Sequence, residues 1–308
     1  MLTSFFSKSK PINFLAVILF MAAFYLLANL RPLLDSFSLS GTTAKFGVLI
    51  VFIISVSVLN FIAKKNDLTK RSAFKILIFG VLSVSFWEIL RNDQVIIANL
   101  CVLLALRRVI SLRSQKDIRQ KIFDATFWIC IASLFYFWAI LFLLIVYSGI
   151  LLHVANYFKN WLVPGIAFLA VFGLVTSFSI IMYDDFYTFS LWFETSSFDF
   201  EQYSNPALFI PLSIILALCV WTLFFYLGLL QKANINSRPT YILVLLTLVT
   251  AIAVALFSPV KNGSELLFFF VPLSIISSNY FESKKEKVFK EILLFGLILM
   301  PILIPFIF

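Results

Sequence analysis

The residues most able to do chemistry sit together in one short stretch, Trp87-Glu88-Ile89-Leu90-Arg91-Asn92-Asp93-Gln94. Glu88 and Arg91 are three apart, so on a helix they share a face and can pair. A carboxylate can give or take a proton, and a guanidinium can donate two parallel hydrogen bonds to a phosphate. Asp93 adds a second acid, and Asp35 is the only acid between Arg31 and Thr43. The candidate acid–base groups are therefore Asp35, Glu88 and Asp93, with Arg91 as the substrate-holding cation. All three of Asp35, Glu88 and Arg91 are predicted to converge on one outward-facing cavity. The bland alternative is that Glu88 and Arg91 form an interfacial ion pair closing a helix end.

A second polar element runs from Tyr183 to Pro206. It carries Asp184, Asp185, Glu194, Asp199 and Glu201 among many aromatic rings, with no Lys or Arg. Such mixing suits a segment in a headgroup layer, rings down and carboxylates up. Trp192 is its candidate substrate-binding residue, because aromatic faces stack on sugars and lipids alike. Phe186–Tyr203 is predicted to contain a helix lying flat at the interface, with Trp192 and Phe193 at headgroup depth or packed on the bundle.

Other chemistries lack their residues. Cys101, Cys130 and Cys219 lie in apolar runs without CxxC spacing and read as small buried hydrophobes. One histidine, His153, cannot build a bis-His haem or a multi-His iron centre, and reads as a hydrogen-bonded interfacial residue. Walker A, GxSxG, HExxH and Rossmann fingerprints are absent. No cofactor and no metal is expected, and no nucleic acid is needed as a partner.

The elements that must position these residues follow from composition. Of 308 residues, 62% are hydrophobic and 13% charged, and the mean hydropathy is +1.03. A soluble domain is about half apolar and about a quarter charged, so the solvent for this chain is lipid. Runs of about 20 apolar residues mark spans near 12–30, 44–63, 72–90, 95–112, 207–230, 240–258, 265–281 and 289–307. Pro164-Gly165 is predicted to open a span, and Pro272 to kink the one after Glu265. The stretch 122–182 crosses two or three times. Three crossings, with a turn near Phe135-Tyr136-Phe137-Trp138, put 20 of the 24 basic residues on one side. Two crossings divide them 14 to 10. The positive-inside rule favours the first, although one long tilted helix is the alternative.

The expected fold is all-α: a polytopic helical membrane protein of about eleven transmembrane helices, N-terminus cytoplasmic and C-terminus outside. Residues 1–308 form one integral membrane domain. The basic loops Lys64–Lys75 and Arg107–Lys121 then read as orientation-setting, with a lipid-phosphate or docking role as the minor alternative. Membrane lipids are the expected partners.

The layout resembles the membrane half of the GT-C glycosyltransferases, which use polyprenyl-phosphate sugars. Asn92–Arg108, Lys121–Ala125 and Ile131–Leu134 look like their fourth and fifth helices, and the resemblance covers 10–181. It implies a polyprenyl-phosphate lipid as ligand, with Asp35 as base or metal-linked carboxylate and Glu88 or Asp93 as the second acid. This chain departs from the class in having one first-loop acid and no large outer domain; 182–206 is an outer loop and 207–308 are C-terminal helices. Ser9-Lys10-Pro11-Ile12-Asn13-Phe14 and Asn262–Phe268 also resemble segments of a bacterial family of multi-pass proteins of unknown function, which implies the cytoplasmic (inner) membrane. Two readings stay open: a non-catalytic subunit of a membrane complex or lipid-binding scaffold, and a glycosyltransferase acting at the outer face. Transport or channel function is a third.

Overall fold

In the computed structural model the described residues are 2–35, 38–188, 192–283 and 286–307, without the side chains of 32–35 and 305–307. They fold into α-helices joined by turns, irregular loops and four 3₁₀ segments, with no strand among them. The helices are α1 (Leu2–Phe6), α2 (Pro11–Asp35), α3 (Leu39–Lys65), α4 (Phe74–Val84), α5 (Trp87–Arg91), α6 (Asp93–Ile110) and α7 (Ile118–Phe135). They continue as α8 (Leu143–His153), α9 (Phe158–Tyr183), α10 (Pro206–Lys232), α11 (Arg238–Phe257), α12 (Leu267–Phe281) and α13 (Lys287–Ile307). Among the described residues, seven helical stretches are long and apolar enough to cross a membrane.

Two helices make the centre. Every residue of α4 is buried, as is nearly every residue of α12. Phe74 stacks on Phe281 at one end and Phe86 meets Phe270 at the other, so the two run antiparallel. Around them, α9 and α10 turn large apolar side chains outward; Leu169 is 68% exposed and Phe224 72%. An apolar surface of that extent is stable only against lipid or a partner.

Polar side chains within the bundle mostly serve their own helices. Ser55, Ser83, Thr126 and Thr247 each donate to the carbonyl four residues earlier, which satisfies the hydroxyl without a partner helix. Asn29 instead donates to Tyr25 O and to Leu90 O, and so fastens α2 to α5. Cys101, Cys130 and Cys219 are free and buried.

Two expectations about helix breaks meet different fates. The stretch 122–182 divides at Tyr136, whose extended backbone (φ −147°, ψ 101°) ends α7 and starts a 3₁₀ segment, Phe137–Phe142, leading into α8. The single long helix is therefore absent. Pro164, by contrast, lies inside α9, which begins at Phe158 rather than at the proline. The expected span at 72–90 is two pieces, because Phe86 is extended between α4 and α5. His153 differs too: its Nε2 is buried with no hydrogen-bond partner among the described residues.

Hydrogen bonds and ion pairs sort the loops into two ends. At one end Ala73 N–H donates to Phe6 O, Ser9 N–H to Arg71 O, and Glu282 accepts from Lys70 N–H and the Ser72 hydroxyl. At the other end Lys45 meets Asp93, Asn92 meets Ser264, and Tyr136 donates to Ser258.

Candidate functional site

The candidate site is built from the end of α2, the short helix α5 and the start of α10. Phe86 is extended and starts α5; Asn92 is extended and ends it. The Asn92 side chain then accepts from Val95 N–H and caps α6, a favoured role for Asn. This double break leaves α5 barely more than one turn long, with Glu88 and Arg91 on a common face.

Arg91 has three weak partners. Its Nη1 lies 3.4 Å from Glu88 Oε1, its Nε donates to Ala28 O at 3.4 Å, and its guanidinium sits 5.7 Å from the Trp87 ring. The Glu88 and Arg91 side chains are 42% and 46% exposed, so the pair itself adds little to stability, about 0–1 kcal/mol. Beside it opens a cavity of about 730 Å³. Leu27, Leu30, Leu208 and Ile304 supply an apolar wall; Arg31, Glu88, Arg91 and Asn205 supply a polar one. Arg31 is exposed and makes no ion pair with a described residue. Trp87 Nε1 also lacks a hydrogen-bond partner there.

Asp93 and Trp192 stand apart from this cavity. Asp93 points to α3 and binds Lys45 at 2.7 Å, so it is not the second acid beside Glu88. Trp192 is 7% exposed, donates to Ser133 O at 2.9 Å, and packs against Phe137 and Phe168. Its ring is spent on the bundle, and Phe193 joins it against Phe137. Of the expected flat helix, Trp192 and the 3₁₀ turn Glu201–Ser204 are helical among the described residues, while Phe193–Phe200 are irregular. The backbone of Asp35 ends α2, one turn beyond Arg31, but its side chain lies outside the described residues.

The family model for DUF6427, a family of unknown function, matches residues 2–308. The chain belongs to the DUF6427 family. No curated protein and no solved structure matches it. The expectation of a multi-pass family of unknown function is thus met at that level. In this DUF6427 chain both segments behind that expectation hold the two ends of the bundle together. Asn13 is fully buried and its amide donates to Phe5 O and Lys8 O.

The second segment holds the group that sequence reasoning missed. Glu265 is fully buried, accepts from Gly263 N–H at 3.0 Å, and accepts from the Tyr203 hydroxyl. Gly263 sits at φ +91°, a conformation that favours glycine, with the Phe86 ring 3.0 Å from where a Cβ would be. Lys261 donates to Ala255 O, Leu256 O and Ser258 O, capping the C-terminal end of α11. Burial pushes the Lys261 ammonium below the usual lysine range, while Glu265 pulls it back up. Burial, then Glu265, raises the Tyr203 phenol. An acid heading an apolar run, just after Asn-Gly-Ser, was the available signal. Closed to solvent, Glu265 joins α12 to the loop before α10.

Proposed function

We propose that this DUF6427 protein is a non-catalytic membrane subunit or lipid-binding scaffold that holds a phosphate-bearing lipid in the cavity beside Arg31 and Arg91. One observation carries the reading: an apolar wall faces two arginines, while the cavity's one described carboxylate, Glu88, is already paired with Arg91. Acyl or prenyl chains suit the leucine wall, and guanidinium groups suit a phosphate. Asp93, the nearest further acid in the sequence, is engaged by Lys45 and does not line this cavity.

The test is lipid retention by the purified full-length protein, read by native mass spectrometry. Arg31→Ala with Arg91→Ala should lower retained anionic lipid about tenfold or more, because two charge-assisted hydrogen-bonding groups are removed. Glu88→Gln should retain it. Equal retention in wild type and the double variant would overturn the reading.

A transferase resembling the GT-C class is the second reading, favoured by Asp35 ending the helix whose Arg31 lines the cavity. It requires Asp35→Asn and Glu88→Gln to keep lipid retention yet abolish sugar transfer from a polyprenyl-phosphate sugar. Silent Asp35→Asn removes it.

The topology belongs to the same proposal: eleven crossings of a bacterial cytoplasmic membrane, N-terminus inside and C-terminus outside. Both the charge asymmetry and the division of 122–182 at Tyr136 support it. Single cysteines at Gln115 and Asn236, in a Cys-free background, should resist an impermeant thiol reagent in intact cells, and one at Ser197 should react. Labelling of 115 but not 197 reverses the orientation; matching sides remove the three crossings.

A further inference from the structure

The end of the bundle opposite Arg91 has a cavity of its own, about 640 Å³, where the 65–67 turn meets 107–121. Six cations line it: Lys65, Arg107, Arg108, Arg113, Lys116 and Lys121. Among the described residues that line it, only Asp67 and Asp117 stand against them. Neither aspartate forms an ion pair within the described residues; Asp117 acts on Lys121 only from a distance, and Asp124, outside the lining, lies 2.9 Å from Arg108. Orientation by charge alone needs lysines and arginines anywhere along the loops. It does not need them gathered around one concavity, where like charges repel.

Their gathering is imposed by the fold. Lys121 is buried and held by Ser111 O and Ser114 Oγ. Arg107 and Lys65 both lie against the Phe61 ring, at 4.8 and 5.3 Å from its centroid. Asp67, Gln115 and Asp117 all take left-handed backbone, with φ of 51°, 51° and 50°, which is unusual for non-glycine residues. Such conformations persist where surrounding structure enforces them and cluster at ligand sites. A pocket that concentrates positive charge through enforced turns is complementary to a compact polyanion.

We propose that this basic cavity binds a phosphate-bearing anion, either the headgroup of an anionic lipid or a soluble phosphate compound. Arg113, Lys116 and Lys65 are exposed and make no ion pair with a described residue, so they carry the binding.

The experiment places the full chain in phosphatidylcholine nanodiscs and has two arms. One titrates inorganic pyrophosphate and reads the thermal unfolding midpoint. The other adds phosphatidylglycerol to the bilayer and counts retained lipid by native mass spectrometry. The test variant is Lys65→Gln/Arg113→Gln/Lys116→Gln. The control, Lys8→Gln/Lys10→Gln/Lys232→Gln, removes as much charge from the same end outside the cavity. Binding in at least one arm, weakened about tenfold or more by the test variant and little changed by the control, supports the site. The responding arm then names the source of the phosphate. If the triple variant does not fold, Arg113→Gln alone carries the comparison. No response in either arm, or equal losses in variant and control, overturns the proposal.

Discussion

Replacing Glu265 with alanine should destabilise the protein by about 3 kcal/mol or more, the range for stranding buried polar partners. The Tyr203 hydroxyl and the Gly263 N–H both lose their acceptor. Lys261 loses the nearby negative charge that favours its ammonium. Tyr203→Phe removes one donor and leaves Glu265 its bond to Gly263, so it should cost about 1 kcal/mol. The two changes should be less than additive, because they delete one shared bond. Thermal unfolding in detergent reads both. A Glu265→Ala protein that unfolds with wild type would mean the turn is open to solvent and that α12 is not anchored there.

Gly149→Ala should cost about 1–3 kcal/mol by overpacking. A Cβ on Gly149 would lie 2.5 Å from Val109 Cγ1 and 3.3 Å from Leu112 Cδ1. It would push α8 away from α6, and with it the turn-back that follows Tyr136. Val109→Ala removes the clashing methyl groups, so the double variant should unfold at a higher temperature than Gly149→Ala alone. A second-site rescue of this kind separates a steric clash from a general intolerance of the helix. If Val109→Ala instead adds its own loss on top, α8 does not pack on α6 as described.

Composition alone determined the solvent. A chain 62% hydrophobic cannot hide its apolar surface in one core, and helices are what satisfy the backbone in lipid. The positions of apolar runs, the break among the aromatics at Tyr136 and the Glu88–Arg91 pair were also legible. Each depends on residues only a few positions apart, where helix geometry alone decides who meets whom.

The tertiary structure decided everything that depends on how helices are rotated about their axes. Asp93 finds Lys45, 48 residues away, instead of standing beside Glu88. Of the two placements expected for Trp192, headgroup depth or the bundle, the fold takes the bundle, with the indole donating to Ser133 O 59 residues away. Glu265 meets Tyr203 across 62 residues, and Lys65 joins Arg113 and Lys116 around one cavity. A soluble helix advertises its inward face through a polar and an apolar side. Helices such as α10, α11 and α12 are apolar nearly all round, because lipid and protein interior ask for the same residues. Their rotation is set by packing shape and by a few polar bonds, and those exist only once distant segments have come together.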